Sequence, residues 1–345
     1  MTRWYRTTKG WKVEIKRNKR MKITKSVALV LSSGGAKGYA HIGAIKAIEE
    51  SGMVITSIAG TSMGALVGGL YAAGKLEQAF NWLKSLDNWE VLKMSDFNNM
   101  STSGLLNGEF IFGHLNELLG DIQIEELPID FCAIATNLDN GKEVVIRKGS
   151  LLEAIRMSIS MPVLFTPYRK DGHIYVDGGI VNGLPVNRVA RHKGDIVVAI
   201  DLDNYGSDSV RLMEEEVTQT LLSEKDAINA TGILIKSMMS GKSVLESGLG
   251  FATNLIAPAL SVLAKTALSS SSGNMFGILL DSFFVSMRQN KIMMRNTMKP
   301  EIYININLKG HHTFSFSHAD EISDIAYNQV KREIQRLYPQ NNNLL

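Results

Sequence analysis

Short apolar runs alternate with segments of helical periodicity as far as about residue 200. Uniform apolar runs are typical of strands buried on both faces of a sheet, and we predict strands at 26–31, 54–60, 131–136, 142–149, 173–179 and 195–202. Apolar residues at helical spacing predict helices at 39–51, 62–71, 76–86, 109–119, 151–158 and 185–192. This alternation indicates an α/β fold, in which a mostly parallel central sheet carries helices on both faces.

The alternation is lost after residue 205. Residues 206–300 are rich in Met, Ser and helix-forming residues, and the stretch 247–264 carries no charge but contains glycines and a proline. That stretch is too polar and too broken for a transmembrane helix. We expect a helical insertion at 206–275 that acts as a lid or faces a membrane, although an ordinary helical insertion packed on the core is an equal alternative. A helix, a strand and a last helix in 276–345 would complete the domain begun at residue 26.

Positive charge is concentrated at the start of the chain. Residues 1–26 hold ten Lys or Arg and one acid, Glu14, so this segment has a charge of about +9. The whole chain has a net charge of only +3, because the remaining residues are acidic on balance. We predict a disordered basic leader at 1–25, whose alternatives are an arm for anionic lipid or nucleic acid and a true start of translation at Met21. It lacks the apolar stretch of a secretory signal, so we expect a cytoplasmic protein and no nucleic-acid partner.

Cysteine and histidine content argues against disulfides and structural metals. Cys132 is the one cysteine, so no internal disulfide is available, and no C-x-x-C or H-E-x-x-H spacing occurs. Metal sites of the structural kind need such clustered ligands. We therefore expect no structural metal.

One candidate nucleophile follows the strand at 54–60. Gly60-Thr61-Ser62-Met63-Gly64 fits G-x-S-x-G, a spacing that suits a serine held on a tight turn between a strand and a helix. The flanking glycines let the backbone pass close by. The alternative is an ordinary helix N-cap, a position where serine is common.

A glycine-rich loop follows the strand at 26–31. Its sequence, Ser33-Gly34-Gly35-Ala36-Lys37-Gly38, leads into a predicted helix, so its bare backbone N–H groups can hold an oxyanion. They can hold a phosphate equally well, but the pattern G-x-x-x-x-G-K-[ST] is absent.

A candidate base lies in the turn Val176-Asp177-Gly178-Gly179, after a further strand. A carboxylate there can accept a serine proton directly, or Asp177 can be a turn residue that bonds its own backbone. No histidine after Ser62 lies in a recognisable catalytic motif. Because ligand sites form outside the carboxyl ends of parallel strands, we expect the three glycine turns to meet at one edge of the sheet.

These three motifs together resemble the patatin-like phospholipase family, bacterial members in particular. The matching stretches are VLSSGGAKGYAHIGAIKAIEE, IAGTSMGALVGGLYAAG, MSISMPVLFTP and YVDGGIVNGLPV, which span roughly 26–202. The chain departs from the family pattern at Ser33, which stands in place of the motif's first glycine, and in the segment 206–300.

The resemblance implies a patatin-like three-layer α/β/α catalytic domain at 26–205 and a lipid acyl hydrolase that uses a Ser-Asp dyad, with neither a metal nor an organic cofactor. Ser62 would be the nucleophile and Asp177 the general base. The oxyanion would bind the N–H groups of Gly34, Gly35 and Ala36. The surrounding turn residues would support them: Lys37, Gly38, Gly60, Gly64, Gly178 and Gly179.

The expected substrates are fatty-acyl esters of (lyso)phospholipids or related lipids, met by peripheral contact with a membrane through 247–264 and the basic leader. Two other functions stay open. One is a soluble carboxylesterase or acyltransferase with a His-dependent triad, and the other is a non-catalytic module that binds phosphate or lipid.

Overall fold

The computed structural model describes residues 2–7, 10–15, 25–85, 109–162, 165–202, 275–308, 311 and 318–339. The chain divides into two compact units, one of Met1–Asn204 with Ser286–Leu345 and the other of Tyr205–Val285. The first unit holds the sheet and is described below. The predicted insertion, as far as residue 274, lies outside the described residues.

The strands of the structure are β1 Thr2–Thr7, β2 Gly10–Ile15, β3 Ser26–Leu31, β4 Val54–Thr61, β5 Asp130–Asn137, β6 Lys142–Ile146, β7 Tyr168–Lys170, β8 His173–Asp177, β9 Ile196–Asp201 and β10 Ile302–Asn305. The helices are α1 Tyr39–Glu50, α2 Met63–Ala72, α3 Leu76–Ser85, α4 Glu109–Leu119, α5 Leu151–Ser158, α6 Gly179–Asn182, α7 Met275–Met298 and α8 Ala319–Leu337. The strands and helices predicted from the sequence are confirmed within a few residues at their ends, with one exception given below.

The main sheet has the strand order β10-β9-β3-β4-β5-β8-β7, and β6 pairs with β5 outside this path. The strands from β10 to β5 are parallel, whereas β6 and β8 run antiparallel to β5. The predicted mostly parallel sheet is therefore confirmed.

Helices cover both faces of this sheet, and the side chains of β3 are apolar on each face. Val27, Leu29 and Leu31 belong to a large core that also contains apolar residues of α1, α2, α5 and α8. Ala28 and Val30 face the other way, into a smaller core completed by residues of the segment after α6. The last turns of α7 lie on this second face, where Arg295 stacks on Tyr303 of β10.

The helix predicted at 185–192 is wrong. Residues 186–188 form a single turn, in which the N–H of Arg188 donates to the Pro185 carbonyl, and no helix follows. Two carbonyl groups of the segment accept from side chains distant in the sequence, that of Ala190 from Ser57 Oγ and that of Arg188 from Arg147. The segment is therefore held by bonds to other parts of the chain rather than by helical bonds of its own.

The expected disordered leader is corrected in part. The backbone of β1 pairs antiparallel with that of β2, in a two-stranded sheet of its own. The local sequence accounts for this, because aromatic and β-branched residues alternate with charged ones in 11–15, a pattern that favours a strand. No helix in the described part of the chain is both long and apolar enough to cross a bilayer.

Candidate active site

Ser62 lies on a strained turn between β4 and α2. Its φ of 56° and ψ of −123° are rare for a residue with a side chain, and such strain persists only where the surroundings hold it. Here the N–H of Ser62 donates to Ser158 Oγ at 2.9 Å, and that hydroxyl donates to the Ile134 carbonyl at 2.6 Å. The carbonyl of Ser62 accepts from the N–H groups of Ala65 and Leu66. The backbone of Ser62 is therefore held on both sides.

The glycines of G-x-S-x-G are required by the close approach of backbone. A Cβ at Gly64 would overlap the carbonyl oxygen of Leu31 and lie 2.7 Å from that of Ser32. A Cβ at Gly60 would lie 2.6 Å from the backbone nitrogen of Ala65. Backbone atoms cannot move aside as a flexible side chain can, so both positions exclude larger residues.

This crowding predicts a stability difference between two glycine substitutions. We expect Gly64→Ala to lower the free energy of unfolding by about 3 kcal/mol, since overpacking against backbone is strongly destabilising. Gly113→Ala is the matched control, because nothing lies within 4 Å of its Cβ position in α4. Alanine there should be neutral or stabilising by up to about 1 kcal/mol. Urea denaturation measures both, and equal midpoints would contradict the close approach.

Asp177 ends β8 and is almost fully buried, with 1% of its surface exposed. Its Oδ1 accepts from the N–H of Gly179 at 2.7 Å, and its carboxylate lies close enough to the Ser62 hydroxyl for that group to influence its pKa. Burial raises the pKa of Asp177 to about 6, while the Ser62 hydroxyl, the bond from Gly179 and the charge of Lys291 lower it. The structure thus brings Ser62 and Asp177 together, and at neutral pH the carboxylate is ionised.

The direction of β8 differs from the expectation that glycine turns gather because their strands are parallel. β8 runs antiparallel to β5, with Asp177 opposite Ala135. The residue before Ala135 pairs with Thr61, the neighbour of Ser62, across β4 and β5. The short β8 therefore enters from the carboxyl edge of the sheet and ends beside Ser62. Gly178 is needed there, because a Cβ on it would overlap the carbonyl oxygen of Ile134.

The glycine loop packs directly against the nucleophile turn. Gly35 has a φ of 56°, and Gly35–Gly38 form a 3₁₀ turn before α1. A Cβ at Gly38 would lie 2.6 Å from Cβ of Met63, the residue after Ser62. The first N–H groups of such a turn have no acceptor within it, so those of Gly35 and Ala36 are available, next to the N–H of Gly34. Lys37 ties the loop to the sheet, since its Nζ donates to the Leu202 carbonyl at 3.1 Å.

Four of the five described histidines after Ser62 lie beside carboxylates. His114, His173, His192 and His311 pair in turn with Glu117, Asp139, Asp130 and Glu321. The fifth, His318, has its ring against that of His311, and His312 lies outside the described residues. Within the described ranges, no group of three or more His, Cys, Asp or Glu side chains is placed to hold a metal ion.

Ser158 and Lys291 are site residues that the sequence analysis missed. Ser158 bonds the backbone of Ser62 from α5, and Lys291 reaches the glycine loop from α7. Ser158 lies within MSISMPVLFTP, a stretch that carries the family resemblance but to which no role was assigned. Lys291 lies far from the motifs along the chain, and nothing in the sequence indicated it.

The family model described as "Patatin-like phospholipase" matches residues 29–190, which include the glycine loop, Ser62 and Asp177. The chain carries a patatin-like phospholipase domain. The match covers the described sheet from β3 to β8, so the predicted family is confirmed on the part of the chain that holds all three motifs.

Curated relatives agree with this membership. An uncharacterized NTE family protein of Mycobacterium tuberculosis is 42% identical over 220 residues, which are 64% of this chain and 60% of that protein. The neuropathy target esterase sws of Drosophila melanogaster is 34% identical over 200 residues, 53% of this chain and 14% of the esterase. The chain thus spans 60% of the length of the mycobacterial relative.

Among solved structures, VipD from Legionella pneumophila aligns with a TM-score of 0.41 and 17% identity, over 97% of this chain and 70% of VipD. A likeness of that extent adds nothing to the fold described above.

Proposed function

We propose that the protein is a serine acyl hydrolase that cleaves fatty-acyl esters of (lyso)phospholipids or related lipids. The observation that carries this proposal is the proximity of the Ser62 hydroxyl to the Asp177 carboxylate at the ends of β4 and β8, within a patatin-like domain. A strained turn presents the serine, and a carboxylate with a pKa of about 6 is a stronger base than an ordinary aspartate. The names of the relatives, which include an esterase, agree with ester hydrolysis.

In the proposed reaction, the Asp177 carboxylate takes the hydroxyl proton of Ser62 as Oγ attacks the ester carbonyl carbon. The tetrahedral oxyanion accepts from the N–H groups of Gly34, Gly35 and Ala36, each typically worth about 3 kcal/mol. Collapse breaks the bond to the lysolipid or alcohol, which leaves with the proton from Asp177. Water then gives a proton to Asp177 and attacks the acyl-enzyme, and the fatty acid leaves as Ser62 recovers its proton.

Labelling and hydrolysis together test this proposal against its rivals. Wild-type protein is treated with a fluorophosphonate probe and assayed on a panel of phospholipids, lysophospholipids and short-chain esters. A triple replacement of His311, His312 and His318 by Gln should keep both labelling and hydrolysis. Loss of both would favour a His-dependent triad, and no labelling of wild type would favour a phosphate- or lipid-binding module.

We also propose that the protein makes peripheral contact with the cytoplasmic face of a membrane. The support is in the sequence, where 247–264 is an uncharged run of eighteen residues and 1–26 is strongly basic. Apolar area and cationic residues act together in interfacial binding to anionic lipid.

Flotation with anionic liposomes measures this contact. Protein lacking 240–270 should float less than the full chain, because it has lost apolar area that enters the interface. Retained fluorophosphonate labelling of the deletion variant serves as the control for folding of the remaining domain. Unchanged flotation would exclude a membrane role for this segment.

A further inference from the structure

Two buried side chains hold the backbone at the start of the glycine loop. Nε2 of His41 lies 2.8 Å from the Ser32 carbonyl oxygen, and Nζ of Lys291 donates to the Ser33 carbonyl oxygen at 2.7 Å. Both side chains are buried, with at most 1% of either residue exposed. The N–H of Ser33 in turn donates to the Gly183 carbonyl at 2.9 Å. Polar groups on three sides thus determine the orientation of these peptide units.

The contact of Lys291 bears on the proposed oxyanion hole, because the Ser33 carbonyl and the Gly34 N–H belong to one peptide unit. In a trans peptide the C=O and N–H bonds point in opposite directions. An ammonium bonded to the carbonyl therefore fixes the direction of the Gly34 N–H, which points away from Lys291. A charged donor also polarises the peptide and makes its N–H a stronger donor.

We propose that Lys291 is a positioning residue for acyl transfer, whose ammonium holds the Ser33–Gly34 peptide so that the Gly34 N–H meets the oxyanion. The proposal rests on the proposed function of Ser62 and Asp177. It assigns a role in the reaction to α7, a helix that lies beyond the matched family region of 29–190.

The surroundings of Lys291 explain how its charge is tolerated. Oδ1 of Asp201, at the end of β9, lies 3.5 Å from its Nζ, and Tyr303 donates to Oδ2 of the same carboxylate at 2.9 Å. Buried ion pairs of this kind contribute little net stability, because desolvation offsets the attraction. The pair therefore has a clearer purpose in placing a positive charge against the loop than in stabilising the fold.

The charge of Lys291 also acts on both neighbouring titratable groups. It lowers the pKa of Asp177, the proposed base. It lowers that of His41 as well, although burial is the main reason that the pKa of His41 falls to about 4, and the charge of Asp201 acts in the opposite direction. Lys291 thus favours the ionised form of Asp177 and the neutral form of His41.

The test compares Lys291→Met with Asp201→Asn and with the double variant. Methionine keeps the length and apolar stem of lysine but removes the donor, whereas Asp201→Asn removes the charge partner and leaves Lys291 in place. The double variant leaves no unpaired charge from the pair, so it provides the comparison if Lys291→Met alone does not fold. Rates are expressed per site labelled by the fluorophosphonate probe, which removes differences in the folded fraction.

We expect kcat of Lys291→Met and of the double variant to fall by roughly 10- to 100-fold, as for a weakened oxyanion donor, with KM nearly unchanged. The acid limb of kcat/KM, expected near pH 6 in wild type, should shift to higher pH because Asp177 loses a stabilising charge. Asp201→Asn should keep kcat within about threefold, since the bond to Ser33 remains.

Two outcomes would overturn the proposal. Wild-type kcat and acid limb in the double variant would show that the loop does not need Lys291. Equal losses in Lys291→Met and Asp201→Asn would assign the pair a purely structural role. Both outcomes differ from failure of the proposed function itself. In that case ester hydrolysis would persist in Ser62→Ala.

Discussion

Ser62→Ala is expected to lower ester hydrolysis by about 10⁴-fold or more, as loss of a nucleophile does in serine hydrolases. The variant should also lose all labelling by a fluorophosphonate probe. The reason is that Oγ of Ser62 forms the bond to the acyl group, and the glycine loop alone offers no substitute. Hydrolysis of the best lipid ester, followed with and without probe, measures both losses.

Ser51→Ala is the matched control for loss of a buried serine hydroxyl. Ser51 is also buried, but its Oγ donates to the Ala47 carbonyl at 2.7 Å at the end of α1. Its removal should leave hydrolysis and labelling intact. Retained hydrolysis by Ser62→Ala would refute the serine mechanism. Equal losses in both variants would trace the effect to general damage of the fold.

Asp177→Asn is expected to abolish hydrolysis and at the same time to stabilise the protein above pH 6. The amide cannot accept the Ser62 proton, so we expect kcat to fall by about 10³-fold or more. The folded-state pKa of about 6 exceeds the ordinary value of 3.8. Ionisation of the buried carboxylate therefore costs the native state about 3 kcal/mol, at 1.36 kcal/mol per pKa unit.

The sign of this linkage determines its pH dependence. Well below pH 3.8 the carboxyl group is protonated in both the folded and the unfolded chain, and it carries no penalty. As the pH rises from about 3 to 6 the unfolded chain ionises first, so the native state loses stability relative to it. The advantage of Asp177→Asn should therefore grow across this range and stay constant above it. Urea denaturation at pH 4 and pH 8 measures the difference.

Asp195→Asn is a control with the opposite sign. Asp195 is also buried, but its Oδ2 accepts from the hydroxyl of Thr56 and the N–H of His192. Although burial acts to raise its pKa, the nearby Ser26 hydroxyl and the bonds from His192 and Thr56 lower it below the ordinary value. Its carboxylate therefore stabilises the fold at pH 8, and the amide should weaken it. A loss of stability in Asp177→Asn at pH 8 would contradict the burial penalty.

Local patterns in the sequence predicted most of the elements in the described part of the chain. The apolar run 26–31 is a buried strand, and Ser62 lies at the junction of a strand and a helix, as G-x-S-x-G indicated. These features depend on neighbouring residues, so a linear pattern contains them. The helix predicted at 185–192 is absent, and that segment is instead bonded to Ser57 and Arg147, which are distant in the sequence.

The sequence by itself therefore determined the strands, most helices, the strained serine and, through three ordered motifs, the family. From the residues alone, Asp177 was equally a base and a turn residue. Only the tertiary structure decided that β8 runs antiparallel and ends at Ser62, and that Lys291 supports the loop from α7. The physical reason is that strand register and the pairing of buried charges arise from contacts between segments far apart in the chain, which no local pattern records.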